Sequence, residues 1–286
     1  MATAEHVLSL GFSPCPNDTF IFHALVTGTI DTAPLSFAPP VLEDVETLNR
    51  WVLAGRFDVS KVSMHALGYL LDNYVLLNAG AALGRGCGPL LVAARPLSSS
   101  DLHDLRVAIP GQYTTAAMLL RLYASRLGAT VAMPFHRIMD AVTSGEVDAG
   151  VIIHEGRFTY QRHGLQCIQD LGAWWEEETG HPIPLGGIVA RRSLGTEVLR
   201  QVEDAIRASV RAAVAMPAAS RAYVKCHAQE LEDEVVAAHI KLYVNHFSED
   251  LGPSGQAAIT EFLNRGHAAG LFAAPTSAGV FLTSGL

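Results

Sequence analysis

Apolar positions along the first part of the chain recur with two periods, one typical of strands and the other of helices. Strand-like apolar runs occupy residues 7–12, 57–62, 74–79 and 89–94. Between the first two, residues 42–53 place Val45, Leu48 and Val52 on one helical face, and Gly55 follows as a helix stop. The pattern predicts a strand-helix-strand unit.

A second set of alternating elements follows residue 95. Its strands and helices are predicted, in chain order, at residues 106–109, 114–127, 130–133, 137–144 and 149–153. Residues 183–190 predict a strand that returns the chain to the first set. This alternation predicts an α/β fold with two lobes, each a mainly parallel sheet flanked by helices, and a ligand cleft between the lobes.

The last third of the chain is helical in pattern. Its predicted helices cover residues 196–216, 220–227, 232–245 and 256–266. The simplest packing places them against the first lobe. We therefore predict a discontinuous first domain of residues 1–94 and 190–286 around an inserted second domain of residues 95–189. Two crossings between the domains indicate a hinge and a closing cleft.

Length and charge narrow the class of protein. The chain has 286 residues, enough for two hydrophobic cores, and 49% of them are hydrophobic, which is too many for a disordered chain. The net charge of -8 is spread along the sequence, and no cluster of Lys and Arg is dense enough to neutralise a run of phosphates. We expect a small-molecule partner and no nucleic acid, and the sequence leaves the oligomeric state open.

The spacing of the cysteines and the first residues of the sequence predict the cellular compartment of the protein. The four cysteines lie far apart and form no pair typical of a zinc site or a disulfide framework. The start MATAEHVLSLGF lacks the basic region and apolar stretch of a signal peptide. No apolar run approaches the roughly 18 residues that span a bilayer. We expect a cytoplasmic protein that binds no metal and does not insert into membranes.

The segment SPCPNDTFIF, residues 13–22, lies where the first strand gives way to a helix. Loops at strand carboxyl ends build the ligand crevice of open α/β sheets. The spacing alone nevertheless favours an ordinary capped helix, with Asn17 or Asp18 at the N-cap.

Two further segments place hydroxyl groups at predicted helix starts. In GQYTTAAMLL, Thr114 and Thr115 follow a strand and a Pro-Gly turn. Free backbone N–H groups at such a start, together with the helix dipole, favour a bound carboxylate. Ser63 occupies a similar position after another strand. The hydroxyls would face each other across the cleft, although an ordinary Thr N-cap is the alternative.

His154 ends a strongly apolar predicted strand and is followed by Glu155. A histidine that emerges from a strand end into a crevice can serve as a base near neutral pH. The alternative is a structural histidine satisfied by the backbone.

GRGCGPL, residues 84–90, carries a GxGxG element without a following helix, which makes it a poor phosphate loop.

Six segments together resemble the 1,4-dihydroxy-6-naphthoate synthases. They are LGFSPCPNDTFIF, VLEDVETLNRW, ALGRGCGPL, PGQYTTA, GEVDAGVIIHEGRFTY and LGAWWEEETGHPIPLGGI. The resemblance runs from about residue 10 to residue 247 in matching order, and SPCPNDTF and IHEGRFTY are its most specific parts.

The resemblance implies a type II periplasmic-binding-protein-like fold used for catalysis inside the cell. It implies that His154 is the catalytic base and that Asn49, Ser63, Thr114 and Thr115 contact the substrate. It further implies a lyase of menaquinone biosynthesis that acts on an aromatic carboxylate, cyclic de-hypoxanthine futalosine, without a cofactor. The products would be 1,4-dihydroxy-6-naphthoate and a sugar-derived three-carbon fragment.

Two alternatives stay open at this point. A chorismate dehydratase of the same pathway would share the fold and also act on a carboxylate-bearing ring by elimination. A solute-binding or sensor protein would close on a carboxylate without chemistry, and recovery of an unchanged ligand would identify it.

Overall fold

The computed structural model describes residues 7–124, 126–228, 232–274 and 279–283. The strands within these ranges are β1 Val7–Leu8, β2 Leu10–Phe12, β3 Ser36–Phe37, β4 Val41–Leu42, β5 Val59–Ser63, β6 Tyr74–Leu76, β7 Ala82–Gly84, β8 Leu90–Ala93, β9 Val107–Ile109, β10 Thr130–Ala132, β11 Ala149–Ile152, β12 Gln166–Asp170 and β13 Ile183–Arg191. The α-helices are α1 Pro16–Val26, α2 Val45–Leu53, α3 Met64–Leu67, α4 Thr115–Tyr123, α5 Ile138–Thr143, α6 Gly156–Thr159, α7 Leu171–Thr179, α8 Thr196–Ala215, α9 Arg221–His227, α10 Asp233–Tyr243, α11 His246–Glu249 and α12 Gly252–Ala268.

Two sheets organise the two lobes. The first has the strand order β4-β2-β5-β13-β6, with β7 pairing to β13, and the second has the order β10-β9-β11-β8-β12. Strands β1 and β3 form a small separate pair. The predicted two-lobed α/β architecture is therefore present.

The sheets are mixed rather than mainly parallel as the sequence predicted. In the first, β2 pairs in parallel with β4 and β5, whereas β13 is antiparallel to β5, β6 and β7. In the second, β8 is antiparallel to both of its neighbours, β11 and β12. The antiparallel pairing of β8 and β13 arises because each strand follows a crossing of the chain between the lobes. A strand that arrives from the other lobe begins at the cleft, whereas its neighbours end there.

One predicted strand lies in the other lobe. The sequence placed residues 89–94 in the first domain, but β8 pairs with β11 and β12 of the second sheet. The first boundary therefore lies before β8 rather than after residue 94. An apolar run identifies a buried strand but carries no information about which strands it pairs with.

The chain enters and leaves the second sheet beside a contact between two glycines. Gly88 precedes β8 and Gly172 lies in the first turn of α7. A Cβ on Gly88 would lie 2.3 Å from the Cα of Gly172, so neither backbone leaves room for a side chain. Close packing accounts for this glycine of the GxGxG element.

The C-terminal helices pack mainly against the first lobe. Helix α8 is amphipathic and buries Leu199, Val202, Ile206 and Val210. It packs against α1, which also contacts α9 and α10. Helix α12 contacts α3 and β13 of the first lobe and α4 of the second. Across the described ranges, we find no helix long and apolar enough to cross a membrane.

Candidate active site

A small cavity of about 80 Å³ lies between the two lobes, where β2, β5 and β11 end and β8 and β13 begin. Four of the five residues predicted for the site line it, namely Ser63, Thr114, Thr115 and His154. A larger chamber of about 520 Å³ adjoins this inner cavity, and Val45 and His154 line both spaces. His154 thus stands at the junction between the inner cavity and the larger chamber.

Asn49, the fifth predicted residue, lies behind the cavity and holds Ser63. Its Oδ1 accepts a hydrogen bond from Ser63 N at 2.9 Å, and its Nδ2 donates to Ser63 Oγ at 3.1 Å. The same Nδ2 lies 3.4 Å from the carbonyl of Tyr113 in the other lobe. Ser63 Oγ is therefore an acceptor for Asn49, and its own proton has no acceptor among the residues that the structure describes.

Helix α4 begins at the cavity with Thr114 as its N-cap. The Thr114 hydroxyl accepts from Ala117 N at 3.2 Å and donates to Gly111 O at 2.9 Å. The N-cap that the sequence analysis held as the alternative for Thr114 is thus present. The Thr114 hydroxyl proton is already used within the helix start.

Thr115 joins the two lobes through its side chain. Its hydroxyl accepts from Met64 N at 3.0 Å and donates to Leu185 O at 2.6 Å. Helix α4 therefore presents backbone N–H groups, rather than free hydroxyl protons, to the cavity. Within the described ranges we find no acceptor for the N–H groups of Thr115 and Ala116, which are the first two residues of this helix and line the cavity.

Glu46 ties the start of this segment to α2. Its carboxylate accepts from Gln112 N at 2.9 Å and from Tyr113 N at 3.1 Å, and Arg50 Nε lies 3.1 Å from it. Gly111 has a φ of +149°, and a Cβ there would lie 2.4 Å from the Glu46 Cδ. A glycine is required at this position, both for its backbone angle and for the approach of the carboxylate.

A buried histidine stands behind this end of the cavity. His65 is 1% exposed, and its Nδ1 lies 3.3 Å from the carbonyl oxygen of Thr114. Its Nε2 is buried without a hydrogen-bond partner. Burial lowers the pKa of His65 to about 4, so the ring is neutral at pH 7.

His154 forms the opposite end of the cavity and lies two residues beyond the end of β11. Its φ is +56°, a left-handed conformation that is uncommon outside glycine and is tolerated best by Asn, Asp and His. Three neighbours pack around the ring. Cys15 Sγ lies 3.6 Å from Nδ1 and 3.7 Å from Nε2, while the rings of Phe135 and His239 lie 5.1 and 6.0 Å away.

The surroundings of His154 favour a free base. Burial lowers its pKa, and the nearby carboxylates of Glu155 and Asp18 oppose that shift without reversing it. Burial and Glu155 raise the pKa of the Cys15 thiol. At neutral pH this end therefore presents a neutral imidazole beside a neutral thiol, and neither imidazole nitrogen is held by an oxygen or nitrogen acceptor among the described residues.

A buried ion pair lines the cavity between its α4 end and its His154 end. Lys61 Nζ, on β5, lies 2.7 Å from the Asp18 carboxylate, and both residues are nearly inaccessible to solvent. Asp18 also accepts from the Ser13 hydroxyl at 2.7 Å and from Asn17 Nδ2 at 2.8 Å. A buried charge is tolerated when it is paired and hydrogen-bonded in this way.

The SPCPNDTF segment lines the cavity and contacts His154, whereas its spacing alone favoured an ordinary capped helix. Cys15 is the N-cap of α1 and Pro16 its first residue, so the prediction of Asn17 or Asp18 as the cap was wrong. A proline at the first helical position fixes the start two residues earlier than the Asn-Asp pair suggested. Lys61, Asp18 and His239 were missed. A lysine inside the buried strand VSKVS was the available signal for the ion pair.

Among the residues that the structure describes, no group of three or more His, Cys, Asp and Glu side chains is arranged to hold a metal ion.

Comparison with known proteins identifies the family of the chain. A family model described as menaquinone biosynthesis matches residues 8–268. A 1,4-dihydroxy-6-naphthoate synthase from Thermus thermophilus is 52% identical over 276 residues, which cover 96% of this chain and 99% of that protein. One from Streptomyces coelicolor is 50% identical and covers 92% of this chain and 94% of its own.

Solved structures agree with the fold. A protein from Archaeoglobus fulgidus superposes with a TM-score of 0.88 at 37% identity, over 94% of this chain and all of its own. The periplasmic aliphatic sulphonate binding protein of Escherichia coli superposes with a TM-score of 0.65 at 13% identity, over 99% of this chain and 95% of its own. The chain thus has the periplasmic-binding-protein-like fold that its resemblance implied.

Proposed function

Because the chain belongs to the menaquinone biosynthesis family, among the 1,4-dihydroxy-6-naphthoate synthases, we propose that its substrate is cyclic de-hypoxanthine futalosine. The reaction is an elimination in which His154 is the general base and no cofactor takes part. Its products are 1,4-dihydroxy-6-naphthoate and a sugar-derived three-carbon fragment. We propose a cytoplasmic location for this activity, because the four free cysteines fit a reducing compartment.

One observation carries this proposal. A single cavity joins a neutral imidazole, whose nitrogens have only the Cys15 thiol as a hydrogen-bonding neighbour among the described residues, to a set of neutral hydrogen-bond donors. That combination suits an anionic substrate that must lose a proton from carbon, because the donors orient the carboxylate without neutralising the base.

The substrate carboxylate is held at the α4 end. The Ser63 hydroxyl and the N–H groups of Thr115 and Ala116 are the donors with no internal acceptor in the described ranges. Thr114 caps the helix that presents these groups, and Asn49 fixes Ser63. The positive end of the helix dipole adds to the attraction.

The proton is taken at the other end. His154 accepts it from a substrate carbon, and the electron pair of that C–H bond forms a new double bond as the strained ring opens. Aromatisation of the ring drives the reaction forward, and the imidazolium returns its proton as the three-carbon fragment leaves. The apolar walls of the inner cavity exclude water from these steps.

The test is direct incubation of the purified protein with the cyclic futalosine derivative, followed by chromatography and mass spectrometry. We expect the naphthoate to appear in the absence of added metal or nucleotide and after dialysis against EDTA. Activity that is lost on chelation and restored by a divalent ion would contradict the cofactor-free reaction.

Two parallel incubations separate the alternatives. Consumption of chorismate in place of the futalosine derivative would assign the protein to the dehydratase reaction. Recovery of the futalosine derivative unchanged, although it binds, would show a binding protein without chemistry.

A further inference from the structure

Among the residues that the structure describes, His239 is the one titratable side chain whose ring stacks on His154, and the proposed reaction gives it no role. It lies on α10, is 1% exposed, and its ring is nearly parallel to that of His154, with an interplanar angle of 18° and a centroid distance of 6.0 Å. The ring of Tyr243, one turn further along α10, packs against it at 4.5 Å.

The hydrogen bonds around His239 determine which of its nitrogens carries the proton. Asn17 Nδ2 donates to Asp18 Oδ1, so the Asn17 oxygen is the atom that faces His239. That oxygen can only accept, and it lies 2.9 Å from Nε2. Nε2 therefore carries the hydrogen and Nδ1 carries a lone pair.

The surroundings of His239 exclude a second proton. Nδ1 is buried and has no hydrogen-bond partner, so a proton placed there would create a charge with neither solvent nor an acceptor. A second charge would also lie on a ring whose centroid is only 6.0 Å from that of His154. The stacked pair can therefore hold one extra proton, and its place is His154.

We propose that His239 is a positioning residue for His154. Its neutral ring holds one face of the base and stabilises the imidazolium that forms when the proton is transferred. The attraction is that of a cation for the face of an aromatic ring, which grows as positive charge develops. This inference rests on the proposed role of His154 as base.

Several other groups act on the charge of His154 from neighbouring elements. They are Cys15, Asp18, Asp44, Lys61 and Glu155. All of them stay unchanged when position 239 alone is replaced, so a set of substitutions there isolates the effect of the stacked ring.

Three variants separate the ring of His239 from its hydrogen bond. His239→Phe keeps an aromatic face and loses the donor to Asn17. His239→Gln keeps a donor and loses the ring, and His239→Leu loses both. We expect kcat of the two ringless variants to fall about 2- to 30-fold below that of the Phe variant, with KM nearly equal.

The pH dependence gives a second readout. Loss of the ring removes stabilisation of the imidazolium, so the acidic limb of kcat should move to lower pH by about 0.3 to 1.5 units in the ringless variants relative to the Phe variant. Histidine side-chain NMR, assigned with His154→Asn, measures the same ionisation without turnover. Thermal melting confirms that each variant is folded, and the Leu variant replaces the Gln variant if the latter is not.

The outcomes are distinct. Equal kcat and equal His154 ionisation in the Phe and ringless variants would overturn the role of the ring. A Gln variant that matches wild type while the Phe variant does not would assign the effect to the hydrogen bond with Asn17 and also overturn it. A shift of the His154 ionisation in a protein that forms no naphthoate would support the stacking and refute the proposed function.

Discussion

The two ends of the inner cavity are built by opposite means. At the α4 end, Asn49 holds Ser63 by hydrogen bonds, and Asn49 and Thr115 each make hydrogen bonds that cross between the lobes. Almost none of the surface of these three residues is exposed. At the other end, His154 is surrounded by a thiol and two aromatic rings. A neutral buried histidine stands behind each end, His65 behind the first and His239 behind the second.

The difference follows from what each end has to do. A group that binds a carboxylate can be fixed by hydrogen bonds, because its free N–H and O–H groups remain available. A base must keep one nitrogen free to accept a proton, and here the ring of His154 is held by contacts with the Cys15 thiol and the rings of Phe135 and His239. Changes at the α4 end should therefore alter substrate affinity, and changes at the His154 end should alter turnover.

The strongest test of this contrast is His154→Asn. Asparagine tolerates a φ of +56° and should preserve the fold. Its amide cannot take a proton at neutral pH, so kcat should fall by about 10²- to 10⁴-fold while Kd for the substrate changes little. Single-turnover kinetics and a binding titration measure the two quantities. Retention of nearly full kcat would make His154 a structural residue.

The pH profile checks the same assignment. Because burial lowers the pKa of His154 below its usual 6.5, the neutral form dominates at pH 7 and activity should decline only in the range below pH 6.5. That acidic limb should be absent from the residual rate of the Asn variant. A limb that persists there unchanged would belong to another group.

The ion pair between the two ends allows a test of stability. Lys61→Met leaves the Asp18 carboxylate buried without its cation, and such a loss typically costs about 3–5 kcal/mol. Adding Asp18→Asn removes the stranded charge and should restore much of the free energy of unfolding. Urea unfolding of the two single variants and the double variant gives the coupling. Additive effects would show that the pair is not energetically linked.

His65 predicts how stability depends on pH. Its pKa is about 4 in the folded protein against 6.5 when unfolded, so the unfolded chain binds more protons between these values. Its contribution is complete above pH 6.5 and is lost as pH falls towards 4. Between pH 7 and pH 5 the loss should be about 2 kcal/mol, measured by urea unfolding. His65→Phe should flatten this part of the curve, and an unchanged slope would contradict the assignment.

The smallest effect concerns a single N–H group. Thr115→Val removes the hydroxyl and keeps the backbone donor, whereas Thr115→Pro removes both at a helix position that suits proline. If the N–H holds the carboxylate, the Pro variant should bind substrate more weakly than the Val variant by about 1–3 kcal/mol, with equal kcat. Calorimetric titration measures the substrate affinity of the two variants. Equal affinities would show that the carboxylate is bound elsewhere.

Much of the site could be predicted because it lies at strand ends. Apolar runs identified the strands that end near Ser63 and His154, and turn residues identified the start of α4. The carboxyl ends of neighbouring strands meet at one edge, so these side chains come together in the inner cavity. Their roles in binding and catalysis stay predictions.

The missed features depend on contacts that no local pattern encodes. His239 lies on a helix far along the chain and reaches His154 only because α10 packs against α1. The partner of Lys61 is 43 residues away, and a strand pattern carries no information about it. The placement of β8 failed for the same reason, since pairing is decided by the whole sheet.

The contact between Gly88 and Gly172 has a consequence for sequence variation. A residue in a core can usually change if a neighbour shrinks to make room. Here the obstacle on each side is main chain, and a Cβ on Gly172 would lie 2.6 Å from the Cα of Gly88. No second substitution can relieve that clash, because glycine already has the smallest side chain. Random mutagenesis followed by selection for function should therefore recover glycine at both positions and no compensated pair.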